Sequence, residues 1–328
     1  MIAGAWPLAA LAAALLLDRL VGDPPWVWRR LPHPVAFAGR VIDRLDVRLN
    51  RPEVSFAARR RRGIAATALL TAGSALLGAA VHAAAASLPL GMALEAIVVA
   101  VLLAQKSLVD HVCAVALRLG GGGTDDARQA LRRIVGRDVT LLDEAGIARA
   151  AIETAAENFS DGVVAPAFWY LLLGLPGLIA FKVVNTADSM VGNRSARHEA
   201  FGWAAARLDD VLNWIPARLS ALLLAAASAL SGLDARGALT CAWGEARRHK
   251  SPNAGWPEAA AAGALGVALG GPRRYGETAV DGAWFNRGGR RDACPDDIRA
   301  AIRLIDTAWA LLFALVCAGA VAAIALAR

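Results

Sequence analysis

The chain has 328 residues, of which 57% are hydrophobic and only 19% are charged. An apolar content above the roughly 45–50% of soluble domains excludes a disordered or fibrous protein, and long Ala, Leu and Val runs are typical of helices that cross a bilayer. The formal net charge is +7. Because the arginines flank apolar runs and are not interleaved with aromatic residues, they indicate orientation in a membrane and argue against nucleic-acid binding.

Apolar runs predict about five membrane spans, with four or six as alternatives. The runs are residues 1–17, 63–88, 91–104, 163–184, 215–233 and 305–328. The run at 91–104 is short and crosses a bilayer only if its helix continues past Gln105. Residues 1–17 are predicted to be a retained span, because no basic segment precedes the run and no cleavage signal follows it.

The run at 163–184 is interrupted at its centre by the sequence GLPG, residues 174–177. Proline removes a helix hydrogen bond, and glycine permits a tight turn. A plain crossing would place the polar motifs before and after this run about 30 Å apart, on opposite sides of the bilayer. We therefore predict that the segment breaks or turns back at these residues, inside a motif-rich segment at 163–214.

The polar stretches predict helical cytoplasmic loops on a single membrane-embedded domain, residues 1–328. Residues 18–62 and 234–303 are rich in arginine, and the positive-inside rule places both in the cytoplasm. Residues 105–162 are predicted to be a polar helical insert, with helices that begin near Thr124 and Asp143. Because no stretch alternates as strands do, the predicted fold class is all-α.

Acidic side chains approach one edge of the predicted membrane region. Glu153 and Glu157 are four residues apart and therefore share a helix face, and Asp161 follows just before the apolar run. Like charges at this spacing destabilise a helix unless a cation or proton lies between them, and clusters of oxygen ligands suit Mg²⁺. A magnesium-binding edge and an ordinary solvated helix face both remain open.

At the far end of the same run, Lys182 lies in apolar sequence and is followed by a dense polar stretch that ends at Arg194. Lys182 either snorkels to the interface or, with Arg194, holds an anion while Asp188 holds the accompanying metal. The two aspartates and the asparagine within 209–213 either supply further oxygen ligands or cap a helix.

Two basic or histidine-containing segments add candidates for anion binding. Residues 244–251 would be a phosphate loop only if His249 were glycine, so that motif is rejected. The turn at 247–253 either binds an anion through side-chain charge or reflects the positive-inside bias. His33, held between two prolines, is a candidate ligand contact, whereas His82 is predicted to pack between helices.

Six polar motifs occur along the chain. They are LDRLVGDPP (17–25), LPHPV (31–35), IVGRD (134–138), ENFSDGVVAP (157–166), NTADSM (185–190) and SPNAGWPE (251–258). Taken in order and spacing, these motifs resemble those of one family, the adenosylcobinamide-phosphate synthases, or cobinamide synthases, of cobalamin biosynthesis. The resemblance covers most of residues 10–280.

The resemblance implies an amide-forming ligase that uses ATP and Mg²⁺. Its reaction would join aminopropanol phosphate to a propionate of the corrinoid adenosylcobyric acid and give adenosylcobinamide phosphate. The implied location is the inner membrane, with multiple spans and an active site that faces the cytoplasm. The implied partners are the two substrates and the lipid bilayer, with no nucleic acid. Homo-oligomers, contacts with other enzymes of the pathway and the exact amino alcohol stay open.

The reaction implied by the resemblance assigns roles to the polar motifs. The expected catalytic residues are Glu157, Asp161, Lys182 and Asp188, with Glu157 as the base and Asp161 and Asp188 as metal ligands. The expected substrate- and phosphate-binding residues are His33, Asn158, Asn185, Ser189, Arg194, Lys250 and Asn253. Glu153, one turn farther from the membrane edge, is expected to be an outer or surface acid.

A polytopic transporter, or a non-catalytic membrane regulator of the same fold, is the alternative function. Broken helices beside charged residues also occur in transporters. Transporters usually show paired halves, however, and no second broken segment mirrors residues 174–177. ATP turnover that requires cobyric acid would separate the two functions.

Overall fold

The computed structural model of the protein describes residues 5–136, 138–193, 195–271, 273–275, 278–280 and 282–326. In chain order, the α-helices of this part are α1 (Ala5–Leu20), α2 (Pro25–Trp28), α3 (Pro34–Leu49), α4 (Phe56–Ala86), α5 (Gly91–Leu102), α6 (Gln105–Gly120), α7 (Thr124–Leu131), α8 (Glu144–Phe159), α9 (Ala165–Val191), α10 (Trp203–Leu212), α11 (Trp214–Leu230), α12 (Ala235–Glu245), α13 (Gly255–Leu265) and α14 (Pro295–Leu326). A π-helix, Ser160–Val164, joins α8 to α9, and a 3₁₀ turn, Ala246–Arg248, follows α12.

The predicted all-α polytopic membrane fold is confirmed. Among the described residues, four helical segments are long and apolar enough to cross a bilayer, and a fifth counts if α10 and α11 form one bent span. The four segments are Phe56–Ala86, Gly91–Gly120, Glu144–Val191 and Pro295–Leu326. The predicted first span is not among them, because its helix, Ala5–Leu20, has only 16 residues.

Four very short strands are the departure from the predicted helical pattern. They are β1 (Leu269–Gly270), β2 (Arg273–Tyr275), β3 (Thr278–Val280) and β4 (Trp284–Phe285), and β1 pairs with β4 and β2 with β3, both antiparallel. Strands of two or three residues leave no alternating pattern in the sequence, so periodicity could not reveal them.

The described residues group into two compact units. The first unit draws on residues 1–104, 165–213 and 316–328, and the second on residues 105–164 and 214–315. In the first unit, α3, α4, α9 and α10 enclose a cluster of buried apolar side chains. Its members are Ile42, Ala66, Ala187, Val191, Phe201 and Ala205.

Helix α9 is sharply bent at Gly174, where the sequence predicts a break. Gly174 has φ 66° and ψ −156°, values outside the helical region. A Cβ atom on Gly177 would lie only 2.7 Å from the carbonyl oxygen of Trp169. Residues eight positions apart in a continuous helix are about 12 Å apart along the axis, so the helix is sharply bent here. Glu144–Val191 is therefore not a straight crossing.

The two arms of α9 consequently reach the same short helix. In the first arm, Nε1 of Trp169 donates to the carbonyl oxygen of Leu212 at 3.1 Å. In the second arm, Nδ2 of Asn185 donates to Oδ1 of Asp209 at 3.2 Å. Leu212 and Asp209 are one turn apart on α10, so the bend allows residues from both arms to contact one end of that helix.

The second unit is built around two helices that are buried along most of their length, α8 and α13. The predicted helix starts are confirmed: α7 begins at Thr124, and α8 begins after Asp143, whose carboxylate accepts a hydrogen bond from the Gly146 amide at 2.7 Å. Helix α13 approaches α12 closely, because a Cβ atom on Gly263 would lie 2.2 Å from the carbonyl oxygen of Gly237.

The bend of α9 packs directly against a glycine of α4. A Cβ atom on Gly78 would lie 2.6 Å from Cα of Pro176 and 2.7 Å from the carbonyl oxygen of Leu175. Gly78→Ala should therefore lower the free energy of unfolding by about 1–3 kcal/mol, the cost typical of overpacking. The thermal unfolding temperature of the purified protein should fall accordingly. The matched control is Gly73→Ala on the same helix, where a Cβ atom meets no atom within 4 Å. Equal unfolding temperatures for the two variants would contradict the close contact.

Candidate functional site

A buried carboxylate on α10 organises the second arm of α9. Oδ1 of Asp209 accepts a hydrogen bond from Asn185, and Oδ2 accepts one from Nδ2 of Asn213 at 3.0 Å. Asp209 and Asn213 are both buried. The buried charge is thus solvated by two side-chain amides, as a carboxylate removed from water requires.

Lys182 lines a cavity of about 660 Å³ in the first unit. Most of the lining side chains, contributed mainly by α3, α4 and α5, are apolar, and Lys182 is the charged member of the set. Ser74 and Thr186 add hydroxyl groups to the wall. A cation in an apolar wall suits an anionic group attached to an apolar body.

The other predicted residues of this arm lie at the end of α9. Asp188 is half-buried, and its carboxylate occupies the space beside Gly192, where a Cβ atom would meet Oδ1 at 1.9 Å. Gly192 is therefore needed for this position of the carboxylate. Ser189 is exposed, and its hydroxyl donates to the carbonyl oxygen of Asn185 at 2.9 Å. Arg194 lies outside the described residues.

A cluster around Asp46 was not anticipated from the sequence. Arg197 donates to Oδ2 of Asp46 through Nε at 3.0 Å and Nη2 at 2.5 Å, and Asn50 donates to Oδ1 at 2.7 Å. Nε2 of His198 lies 3.5 Å from the same carboxylate. Burial alone would raise the pKa of Asp46, but the hydrogen bonds from Arg197 and Asn50 and the nearby positive charges outweigh it, so the pKa is lowered.

His33 is held by protein groups on three sides. Its Nδ1 accepts a hydrogen bond from the amide of Val35 at 3.2 Å, which caps the start of α3. Its Nε2 lies 3.4 Å from Oδ1 of Asp23, and its ring packs edge-on against Trp28 with centroids 4.5 Å apart. The LPHPV and LDRLVGDPP motifs thus meet at this histidine.

The ENFSDG motif forms the junction between α8 and the π-helix. π-Helical turns are rare and frequently occur at functional sites. Glu157 and Asp161 are half-buried, whereas Asn158 is exposed and donates to the carbonyl oxygen of Thr154 at 2.9 Å. The Ser160 hydroxyl is buried and forms no hydrogen bond within the described part of the chain.

Glu153 is not the surface acid that its spacing from Glu157 allows. Its side chain is buried, and Oε1 accepts a hydrogen bond from the amide of Gly270 at 2.7 Å. Because most of α8 is buried, the face that carries this acid packs inside the second unit and anchors the first β-strand.

The SPNAGWPE motif begins in a tight turn. The Ser251 hydroxyl accepts hydrogen bonds from the amides of Asn253 and Ala254, each at 3.2 Å. Asn253 is only 6% exposed, and its Oδ1 accepts a hydrogen bond from Arg218 at 3.3 Å. Lys250 is exposed. The turn therefore places a buried amide beside exposed positive charge.

His249 and Glu258 face each other behind this turn. Nδ1 of His249 accepts a hydrogen bond from the Ser251 amide at 3.0 Å, so the proton of the neutral ring lies on Nε2. Nε2 lies 3.9 Å from Oε1 of Glu258, a carboxylate that is 1% exposed. The histidine thus presents a fixed N–H toward a buried acid.

Sequence reasoning missed Asp46, Arg218 and Glu258. Asp46 lies in a basic stretch, and its partner Arg197 is 151 positions away, so spacing gives no signal for the pair. Arg218 follows a tryptophan at the start of a span, a pattern that usually marks an interfacial anchor. Glu258 lies in the SPNAGWPE motif, only nine positions after His249. This short separation is the one signal in the sequence for their contact.

The structure describes the predicted residues in three groups. Asn185, Asp188 and Ser189 share one arm of α9 with Lys182. The ENFSDG residues share the α8 junction, and Lys250 and Asn253 share the basic turn. Among the described residues, no group of three or more His, Cys, Asp or Glu side chains is arranged to hold a metal ion.

Comparisons with known proteins give one consistent family. The family model described as CobD/Cbib protein matches residues 11–305. A cobalamin biosynthesis protein CobD from Sinorhizobium sp is 53% identical over 298 residues, which cover 90% of this chain and 92% of the relative. The protein of the same name from Brucella anthropi is 49% identical over 95% of this chain and 96% of its own. That from Rhodobacter capsulatus is 42% identical over 92% and 94%, respectively. No solved structure matches the chain.

The Glu153 contact predicts a structural role for this acid. Glu153→Ala removes the acceptor of the Gly270 amide and should lower the free energy of unfolding by about 1–3 kcal/mol. Glu153→Gln keeps an acceptor oxygen in place and should cost much less. Thermal unfolding of both variants in the same detergent measures the difference. Equal stabilities of Glu153→Ala and the wild type would show that the contact contributes nothing.

The lowered pKa of Asp46 predicts a pH-dependent contribution to stability. Since the folded-state pKa lies below the unfolded value of about 3.9, ionised Asp46 stabilises the fold above that pH. This contribution disappears as the pH falls through the folded-state pKa. Asp46→Asn should therefore lower the unfolding temperature at pH 7, and the difference from wild type should shrink below pH ~4.

The control for this titration is Asp43→Asn, which changes an exposed acid on the same helix. It should alter the unfolding temperature little at either pH. A difference between Asp46→Asn and wild type that stays constant with pH would contradict the assigned ionisation.

Proposed function

We propose that this chain, which belongs to the CobD/CbiB family, forms the amide bond that joins aminopropanol phosphate to a propionate of adenosylcobyric acid. Its coarser function follows from the family: the chain is a polytopic membrane enzyme of cobalamin biosynthesis. The observation that carries the finer proposal is that the family match spans residues 11–305 and so includes every motif of the resemblance.

The proposed reaction needs activation of a carboxylate. Transfer of the terminal phosphoryl group of ATP to the propionate gives an acyl phosphate and ADP. Attack by the amine then forms the C–N bond and releases inorganic phosphate, while a base takes the proton that the ammonium group must lose. Glu157, half-buried in the last turn of α8 just before the π-helix, is our candidate for this base.

The phosphate groups of both co-substrates need positive charge around them. Lys182 in the apolar cavity and Lys250 on the basic turn are the proposed cations in the described part of the chain, together with the amides of Asn185 and Asn253. Arg194, which lies outside the described residues, completes the proposed set. His33, Asn158 and Ser189 are proposed to make further polar contacts with substrates.

Mg²⁺ fits the donors that the chain offers. Mg²⁺ commonly uses one or two carboxylates together with substrate phosphates and keeps several waters. Half-buried aspartates such as Asp161 and Asp188 are donors of this kind, so a preformed cluster of three acids is not required. The ion would neutralise charge on the phosphates of ATP. We propose a cytoplasmic site in the inner membrane, because ATP is supplied from that side.

One observation favours the alternative, a transporter or a non-catalytic membrane regulator. The sharp bend of α9 at Gly174 gives a broken helix of the kind that lines transport sites. The deciding experiment supplies purified protein in nanodiscs with adenosylcobyric acid, aminopropanol phosphate, ATP and Mg²⁺. Mass spectrometry should detect the amidated corrinoid, and omission of either co-substrate should abolish it. ATP turnover or corrinoid binding without any amide product would refute the proposed reaction.

Asp188→Ala tests the proposed metal ligand. The variant should insert into the membrane normally but form amide product at least about 100-fold more slowly, because an oxygen ligand is lost where charge develops. The matched control is Asp125→Ala, whose side chain is 93% exposed and paired only at the surface with Arg128. It should retain wild-type activity. Near-normal product formation by Asp188→Ala would remove this residue from the site.

A further inference from the structure

Arg218 is held in place by two tryptophans in the second unit. It lies near the start of α11, and its Cζ is 4.2 Å from the ring centroid of Trp214 and 4.5 Å from that of Trp256. Trp256 is buried and belongs to the SPNAGWPE motif. Contact with two indole rings stabilises a guanidinium group and fixes its plane.

One end of this guanidinium is already hydrogen-bonded. Nη1 donates to the carbonyl oxygen of Trp214 at 2.5 Å and to Oδ1 of Asn253 at 3.3 Å. Nε and Nη2 donate to no group among the described residues. These two nitrogens form one edge of the planar group, and such an edge binds two oxygens of a phosphate or carboxylate at once.

The charge around Arg218 also favours an anion. Within the described residues, no carboxylate forms an ion pair with this arginine, and the positive charge of Arg247 reaches it. Two cations brought together without an acid repel each other, and an oxyanion between them relieves that repulsion.

The geometry is not that of an ordinary interfacial anchor. A snorkelling arginine extends its head group into water. Arg218 instead folds back over its own helix, to the carbonyl oxygen of Trp214, and contacts the buried amide of Asn253. Its side chain is half-buried. Both contacts orient the group, and orientation is what a binding site needs.

We propose that the Nε–Nη2 edge of Arg218 binds the phosphate monoester of the amino-alcohol co-substrate. This inference rests on the proposed function for the identity of the ligand. A single compact dianion fits one arginine fork beside further positive charge. The triphosphate of ATP binds as a Mg²⁺ complex, and Mg²⁺ prefers carboxylate ligands. In the described part of the chain, no carboxylate forms an ion pair with Arg218.

The test compares wild type with Arg218→Gln and Arg218→Lys in nanodiscs of neutral phosphatidylcholine. Calorimetry measures the binding of aminopropanol phosphate, with unphosphorylated aminopropanol as the ligand control. Arg218→Gln should weaken binding roughly 10- to 100-fold, the range expected for charged hydrogen bonds. Arg218→Lys keeps the charge but not the planar fork, so it should recover only part of the affinity. Arg236→Gln, which removes an exposed arginine from α12, should bind like wild type.

A second readout guards against a folding defect. ATP binding and the thermal unfolding temperature should stay close to wild type in Arg218→Gln, and the KM for aminopropanol phosphate should rise while the KM for ATP does not. Unchanged affinity of Arg218→Gln for aminopropanol phosphate would overturn the proposal. Loss of ATP affinity alone in Arg218→Gln would also overturn it, since that outcome assigns the fork to ATP. So would an effect of Arg218→Gln that appears only in nanodiscs containing phosphatidic acid, since that outcome assigns the fork to a lipid headgroup.

The outcome also separates this inference from the proposed function. If wild type forms the amide product and Arg218→Gln binds aminopropanol phosphate normally, only the role of Arg218 fails. If wild type binds aminopropanol phosphate through Arg218 but forms no amide, the phosphate site stands and the proposed reaction fails.

Discussion

The sharp bend of α9 at Gly174 is the constraint on which the first unit depends. A chain that turns inside a bilayer frees backbone groups that lipid cannot satisfy, so neighbouring helices must enclose the turn. Gly78 of α4 provides this enclosure by allowing the backbone of Leu175 and Pro176 to approach directly. The φ of 66° at Gly174 favours glycine, because side chains on other residues collide with the backbone in that conformation. Two glycines on different helices thus make one turn possible.

A buried carboxylate holds the part of α9 that precedes the bend. Glu95 on α5 is 1% exposed, and it accepts hydrogen bonds from the Tyr170 hydroxyl at 2.7 Å and from Nε1 of Trp6 at 3.1 Å. Nδ1 of His82 lies 3.0 Å from the same group. One acid therefore joins α1, α4, α5 and α9. A polar group is costly at this depth unless it is paired, so the pairing makes the helix arrangement specific. Asn185 and Asp188 lie after the bend, near the polar C-terminal end of α9.

The sequence predicts local features of this molecule well and its distant pairings poorly. Helix starts at Thr124 and Asp143 follow from capping residues, and the break at Gly174 follows from Gly and Pro chemistry, because both signals act within a few residues. The contacts of Glu95 leave no signal in the sequence, since its partners Trp6 and Tyr170 lie 89 and 75 positions away. The surface position predicted for Glu153 is wrong because the i, i+4 rule identifies a shared helix face but does not show whether that face is buried.

The arginines at the start of α4 have structural contacts that composition alone does not predict. The positive-inside rule explains their location, but the structure also gives several of them contacts. Arg62 donates to the carbonyl oxygen of Leu49 at 3.3 Å, and Arg59 donates to that of Arg197 at 3.4 Å. Arg60 lies over the ring of Trp203 at 3.9 Å. A topological signal and a packing role therefore coincide in the same side chains. Replacing these arginines with lysine would keep the charge for orientation yet lose planar contacts that only a guanidinium makes.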